Sequence, residues 1–410
     1  MIDYKSCYQK MNALLGNDEV KTDQGNLKFL HFPFQSELLV KADQKGVMNG
    51  NLFYHELVDG DVPENTHFEY PVLVPEGEEK YKKGILLLHG LNEKSWDKYL
   101  AWAAELAERL KRPVILFPIA YHMNRAPKNW SNPRMMKGVV QVRKEVEPKG
   151  EATFANAALS TRLGAHPEQF VYSGVQSYYD IWKLVRQISD GQHSVFSEGA
   201  GIDVFAYSIG AFLAEILFMS NPEKLFSHSR LFIFAGGPTF DSMMGTSRYI
   251  MDLTAFKRLR TLRHKKVLKH VYRHLVKKEL PAFDQTWTAF YAMIYLRKGR
   301  KLRKAWLEHQ GTNIYAVALE KDRVMQAKNI IRTLKGRKKR LHARVDVIDF
   351  PYAYTHENPF PLSDDKNLLL VDRCFSIIMD KAVRFYKQAM PVFQEINAAE
   401  EKKAMQWAKG

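Results

Sequence analysis

The chain has 410 residues, 46% of them apolar, with 61 Lys and Arg against 45 Asp and Glu for a net charge of +16. That is enough chain for a large core, yet no stretch approaches the roughly 20 consecutive apolar residues that span a bilayer. Cys7 and Cys374 sit at opposite ends and form neither a metal-ligand spacing nor a disulfide framework, and MIDYKSCYQK lacks the apolar centre of a secretory signal. A soluble, cytoplasmic protein with reduced thiols is expected; such a charge would normally suggest nucleic acid, acidic lipid or an anionic substrate, but its distribution matters more than its total, and nucleic acid is not the expected partner.

In chain order, a helical pattern over Tyr4 to Leu15 precedes two apolar runs, Leu27 to Phe34 and His67 to Val74, which read as antiparallel edge strands. The polar stretch from Gln44 to Asn51 between them reads as loop. GILLLHGL, Gly84 to Leu91, is a buried strand ending in His-Gly. A helix over Trp96 to Leu110 and a strand over Pro113 to Ala120 complete a right-handed βαβ unit. From Tyr121 to Tyr172 the alternation stops in a long segment that includes YHMNRAPKNWSNPR. It leaves the carboxyl edge of the sheet, where such folds bind ligands, so His122, Arg125, Trp130 and Arg134 are candidates for substrate contact. The alternative is a surface loop with solvated cations.

A helix over Val175 to Ser189 leads into GIDVFAYSIGAF, Gly201 to Phe212, a β-branched and aromatic strand that turns into a helix at Ser208. Gly199 and Gly201 precede a strand and open no helix, so they form no dinucleotide fingerprint, and no cofactor is expected. At Ser208 strand and helix pass close together, which requires small neighbours; Ala206 and Gly210 supply them. Two readings stay open on these residues alone: a reactive serine above the amides of a helix start, or a serine that caps the helix.

The next strand, Leu231 to Ala235, is followed by several helical patterns between 245 and 310. From Lys257 to Trp306 there are sixteen basic and two acidic residues. Such a run reads as a solvated helical face, with attraction of an anionic substrate or a polyanion as the functional alternative. His270 and His274 have a metal-compatible spacing, but the surrounding cations oppose a dication and no H-E-x-x-H occurs, so no metal is expected. The sheet resumes in Asn313 to Met325, which carries Glu320 and Asp322 at its end. A basic helix to Arg340, a strand over Val345 to Phe350, and PYAYTHENPF with His356 follow. A helix over Asp365 to Ala389 and a charged tail close the chain, with Met405 and Trp407 available for association.

A-Y-S-I-G resembles the G-x-S-x-G nucleophile elbow of the α/β-hydrolase superfamily, with alanine in place of the first glycine. The resemblance covers about His67 to Ala389. It implies an α/β-hydrolase fold: a mostly parallel sheet flanked by helices, built from residues 1–240 and 311–410, with a helical cap inserted over 241–310. It also implies Ser208 as nucleophile, His356 as base and Asp322 as acid, with Glu320 and Asp241 as rival acids. Leu91 and Ile209 would supply the oxyanion-hole amides, and His89 and Tyr207 would border the substrate. The implied reaction is cleavage of an ester, thioester or amide of a small acyl substrate, possibly anionic, through an acyl-enzyme. Acyl transfer on the same residues, or a catalytically silent fold that binds a polyanion through its cap, are the alternatives.

Overall fold

Strand and helix alternate from Tyr81 onward, and the strands join one nine-stranded sheet in the computed structural model, which describes residues 3–13, 19–22, 25–39, 61–146, 151–363 and 365–389. In chain order the elements are α1 (Tyr4–Ala13), β1 (Glu19–Thr22), β2 (Gly25–Gln35), β3 (His67–Pro75), β4 (Tyr81–Leu88), α2 (Asp97–Leu110) and β5 (Val114–Leu116). Next come α3 (Pro133–Val146), α4 (Ala157–Ala165), α5 (Gln169–Ser189), β6 (Phe196–Tyr207), α6 (Ile209–Ser220) and β7 (Leu231–Phe234). Four helices follow: α7 (Leu253–Leu259), α8 (Lys265–Val276), α9 (Phe283–Ile294) and α10 (Arg300–Gln310). The chain then returns to the sheet with β8 (Ile314–Leu319), α11 (Ala327–Leu334), β9 (Arg344–Ile348) and α12 (Leu368–Lys387).

The strand order is β1-β2-β3-β5-β4-β6-β7-β8-β9. The first three strands are antiparallel, as is the β3–β5 pairing, and every pairing from β5 through β4 to β9 is parallel. The parallel strands are continuous apolar runs because both faces are covered. On β4, Leu86 and Leu88 face a core shared with α5, α6 and the helices after β7. Ile85 and Leu87 face a second core shared with α1, α2 and α12. This mostly parallel sheet with helices on both faces is the α/β-hydrolase fold.

Several boundaries differ from the sequence reading. The strand expected over Pro113 to Ala120 is only three residues long, and β6 begins at Phe196 rather than Gly201, with an irregular register against β4. The stretch read as a loop after β5 contains α3 and α4. Pro133 and the preceding Asn132 resemble loop punctuation, but Pro is well tolerated at a first helical turn. The i, i+3, i+4 set Met136, Val139 and Val140 is buried there. Leu14, Leu15, the 44–51 stretch, Met405 and Trp407 lie outside the described residues. Among the described residues no helix is long and apolar enough to cross a membrane, and no three His, Cys, Asp or Glu side chains gather as metal ligands.

On α8 the charge run divides by face: Leu268, Val271 and Leu275 are buried, while Lys265, Lys266, Lys269 and Arg273 are exposed. A different charge is sealed inside. Glu215 on α6 is fully buried, and neither of its carboxyl oxygens has a hydrogen-bond partner among the described residues. Burial holds its pKa well above the ordinary 4.5, against a weaker opposing pull from Arg303. The folded chain therefore keeps a proton that the unfolded chain releases. This cost to stability is absent below about pH 4.5 and grows as pH rises toward the folded-state pKa. Glu215→Gln is expected to raise the melting temperature, with a gain that widens from pH 5 to pH 8. A gain of equal size at every pH would contradict this account.

Candidate active site

The turn from β6 to α6 brings Ser208 to φ 55°, ψ −120°, a conformation that side chains rarely adopt. These angles match those of the first central position of a type II′ turn, normally occupied by glycine. Neighbouring small residues make the turn possible. A Cβ on Gly210 would lie 2.7 Å from the Leu88 carbonyl oxygen and 2.8 Å from that of His89; one on Gly236 would lie 2.6 Å from the Ala211 Cβ. The Gly210 N–H donates to the His89 carbonyl at 3.1 Å, which ties the turn to the end of β4.

Ser208 Oγ lies 2.7 Å from Nε2 of His356, and Nδ1 of His356 lies 2.7 Å from Oδ2 of Asp322. All three residues are buried. The other carboxylate oxygen of Asp322 accepts the N–H groups of Val324 and Met325, each at 2.8 Å. Acceptor-only surroundings at Nδ1 place its hydrogen there, which leaves the Nε2 lone pair facing the serine hydroxyl. The rival acids are engaged elsewhere. Asp241 accepts from the Leu296 N–H and from Thr239 Oγ1, and Glu320 is exposed.

Ser208 opens on an apolar cavity whose other lining residues include Leu91 and Ile209, Phe170 of α5, Phe256 and Leu259 of α7, and Val324 and Met325. The turn that fixes the Asp322 carboxylate thus also walls the cavity. Among the described residues no hydrogen bond engages the N–H of Leu91 or of Ile209.

The remaining residues expected at the site do not line this cavity. Tyr207 is buried behind the serine; its ring stacks on that of His356 at 5.5 Å, and its hydroxyl donates to the His356 carbonyl. His89 is fully buried, with Nδ1 2.8 Å from the Gly90 carbonyl and Nε2 accepting the Ile119 N–H at 2.9 Å. Burial pushes its pKa down to about 4, so it is neutral. The His122 ring lies 5.2 Å from it at a tilt of 46°, with Nδ1 2.9 Å from the Ala120 carbonyl. Arg125 is fully buried in an ion pair with Asp180 at 2.8 Å. Trp130 packs beside Tyr121, and Arg134 is exposed on α3. His270 and His274 lie on α8 and do not line the cavity.

A group that the sequence reading missed braces the site from behind. Lys98 pairs with Glu93 and donates to the Glu357 carbonyl at 2.9 Å, next to His356. The Tyr99 hydroxyl donates to the same Glu93 at 2.9 Å and accepts the Gly90 N–H at 2.9 Å. Lys98 and Tyr99, on the first turn of α2, therefore hold the histidine loop and the loop after β4 in one frame. Nothing in a lone E-x-x-x-x-K-Y spacing signals this, because its third partner is some 260 residues away.

The profile of DUF6051, described as a family of unknown function, matches residues 2–387. The chain belongs to DUF6051. No curated protein gives a significant sequence match to this DUF6051 member. Among solved structures it resembles a bacterial heroin esterase at 10% identity and TM-score 0.46, over 94% of this chain and 91% of that one. It also resembles a hyperthermophilic esterase from the archeon Pyrobaculum calidifontis at 11% identity and TM-score 0.43, over 93% and 92%. The esterase LipW from Mycobacterium marinum matches at 11% identity and TM-score 0.43, over 94% and 89%.

Proposed function

We propose that this DUF6051 protein is a serine hydrolase that cleaves a carboxylic ester, or a related thioester or amide, through an acyl-enzyme. The observation that carries the reading is the unbroken Ser208–His356–Asp322 chain, with two 2.7 Å contacts, at an apolar cavity. In this reading His356 Nε2 takes the Ser208 proton as Oγ attacks the acyl carbon. Asp322 holds the tautomer that makes this possible and stabilises the imidazolium. The Leu91 and Ile209 N–H groups, free of other acceptors among the described residues, would take the developing oxyanion. His356 then returns the proton to the leaving group, and water repeats the sequence to release the acid.

The apolar lining suits an acyl chain and excludes water from the reacting centre. Residues 241–310 are read as a cap, since Phe256 and Leu259 of α7 close one side of the cavity. The test is an active-site fluorophosphonate: it is expected to label the native protein at Ser208 and to leave Ser208→Ala unlabelled. Equal labelling of both proteins, or of neither, sinks the proposal.

A further inference from the structure

Buried arginines in this protein are matched to acceptors. Arg125 has Asp180, Arg143 has both oxygens of Asp252 at 2.5 and 2.7 Å, and Arg303 donates to the carbonyls of α9 and its end. Arg162 on α4 departs from this pattern. It is 7% exposed, its guanidinium packs 4.0 Å from the Tyr121 ring and 4.4 Å from the Trp130 ring, and among the described residues no carboxylate or carbonyl accepts from it. Two ring faces attract a cation, but they accept none of its directed N–H bonds.

A second uncompensated cation stands beside it. Lys94 is half-buried and makes no hydrogen bond or ion pair among the described residues, while burial and Arg162 push its pKa down to about 8. Its sequence neighbour Glu93 is committed to Lys98 and Tyr99. Nε2 of His122, buried and unpartnered, completes the cluster; burial lowers the pKa of that ring, and the charges of Lys94 and Arg162 add to it.

The two cations are carried by segments that continue into or pack against the wall of the cavity at Ser208. Lys94 is three residues beyond Leu91, and the Asn92 amide between them donates to the carbonyls of Ala155 at 2.8 Å and Tyr249 at 2.6 Å. Arg162 lies on the helix that packs against α7, where a Cβ on Gly164 would sit 3.7 Å from that of Ala255. Leu91, Ile250 and Phe256, one from each of these segments, line the cavity.

We infer that Lys94 and Arg162 form an oxyanion-binding subsite beside the acyl cavity, so that the substrate is an ester carrying a carboxylate or phosphate on the group next to the scissile bond. A planar guanidinium presented by two aromatic rings, with an ammonium alongside, matches the divided charge of either anion. The apolar cavity takes the carbon chain and the cation pair takes its charged end. This inference rests on the hydrolase reading for the reaction, but not for the anion site itself.

The experiment has two arms. In the first, p-nitrophenyl hemiglutarate is compared with p-nitrophenyl pentanoate, which has the same chain length without the charge. The native enzyme is expected to favour the hemiglutarate at least about tenfold in kcat/KM, and Lys94→Gln and Arg162→Gln are each expected to cut that ratio at least about fivefold. A native ratio near one, or a ratio unchanged in Lys94→Gln, overturns the subsite; Lys94 is partly exposed, so that variant decides even if Arg162→Gln does not fold. In the second arm, glutarate and inorganic phosphate are titrated calorimetrically into Ser208→Ala. Saturable binding that weakens at least about fivefold on adding Lys94→Gln supports the subsite, and the tighter ligand identifies the oxyanion; no saturable binding of either overturns it. If fluorophosphonate labelling fails while glutarate or phosphate binds, the hydrolase reading falls and the anion site stands. Turnover of both esters without preference gives the reverse.

Discussion

Replacing His356 by alanine is expected to lower kcat/KM on an ester substrate by about 10,000-fold or more, and Ser208→Ala by as much. The two losses are not additive, because the hydroxyl is a weak nucleophile unless the imidazole takes its proton. The Ser208→Ala/His356→Ala double variant should therefore be no worse than either single one. Asp322→Asn keeps the size of the side chain but offers Nδ1 an amide that can impose the wrong tautomer, and is expected to cost about 1,000- to 10,000-fold. The rival acids supply the contrast. Asp241 is occupied by the Leu296 N–H and Thr239, and Glu320 is exposed, so Asp241→Asn and Glu320→Gln should stay within about threefold of native kcat. Steady-state kinetics on p-nitrophenyl esters, with melting temperatures to exclude unfolding, measures all of these. A His356→Ala loss below about tenfold would remove the imidazole from the mechanism.

The second large effect is on stability. Arg125 donates to Asp180 at 2.8 Å, to the Asn65 carbonyl at 2.9 Å and to the Pro118 carbonyl at 3.1 Å, with its guanidinium 4.2 Å from the Phe68 ring. Ser36 occupies the other oxygen of Asp180 at 2.6 Å. Arg125→Met leaves that carboxylate buried without its cation and is expected to cost about 3–5 kcal/mol in denaturant unfolding. Arg125→Met/Asp180→Leu, which removes both charges, should recover much of the loss. If Arg125 instead served the substrate, as its place after β5 suggests in the sequence, the single variant would keep its stability and raise KM.

These two cases mark what the chain discloses by itself. The β6–α6 turn is legible because close passage of strand and helix demands small residues at 206 and 210, a local requirement written in local sequence. Asp322 and His356 are legible as positions because parallel strands deliver their carboxyl ends to one edge. Arg125 is not legible: its partner Asp180 lies 55 residues away on a helix whose apolar spacing gives no sign of a buried carboxylate. Lys98 and Arg162 follow the same rule, since the meaning of a cation depends on which acceptors the fold places near it. The basic run from 257 to 306 shows the converse. It holds most of the chain's net charge, yet on α8 its cations face solvent, while the isolated Lys94 and Arg162 are half-buried and buried.

The backbone at Ser208 has one further consequence, for engineering. Its φ and ψ belong to glycine's range, and holding a side chain there costs on the order of 1–3 kcal/mol that the rest of the fold must offset. Ser208→Gly would relax the turn while deleting the hydroxyl, so under the proposed mechanism the replacement that relieves the strain is also an inert one. Libraries of this protein sorted for thermal endurance alone will drift toward that replacement, and a screen that enriches survivors needs turnover scored beside heat resistance in every round.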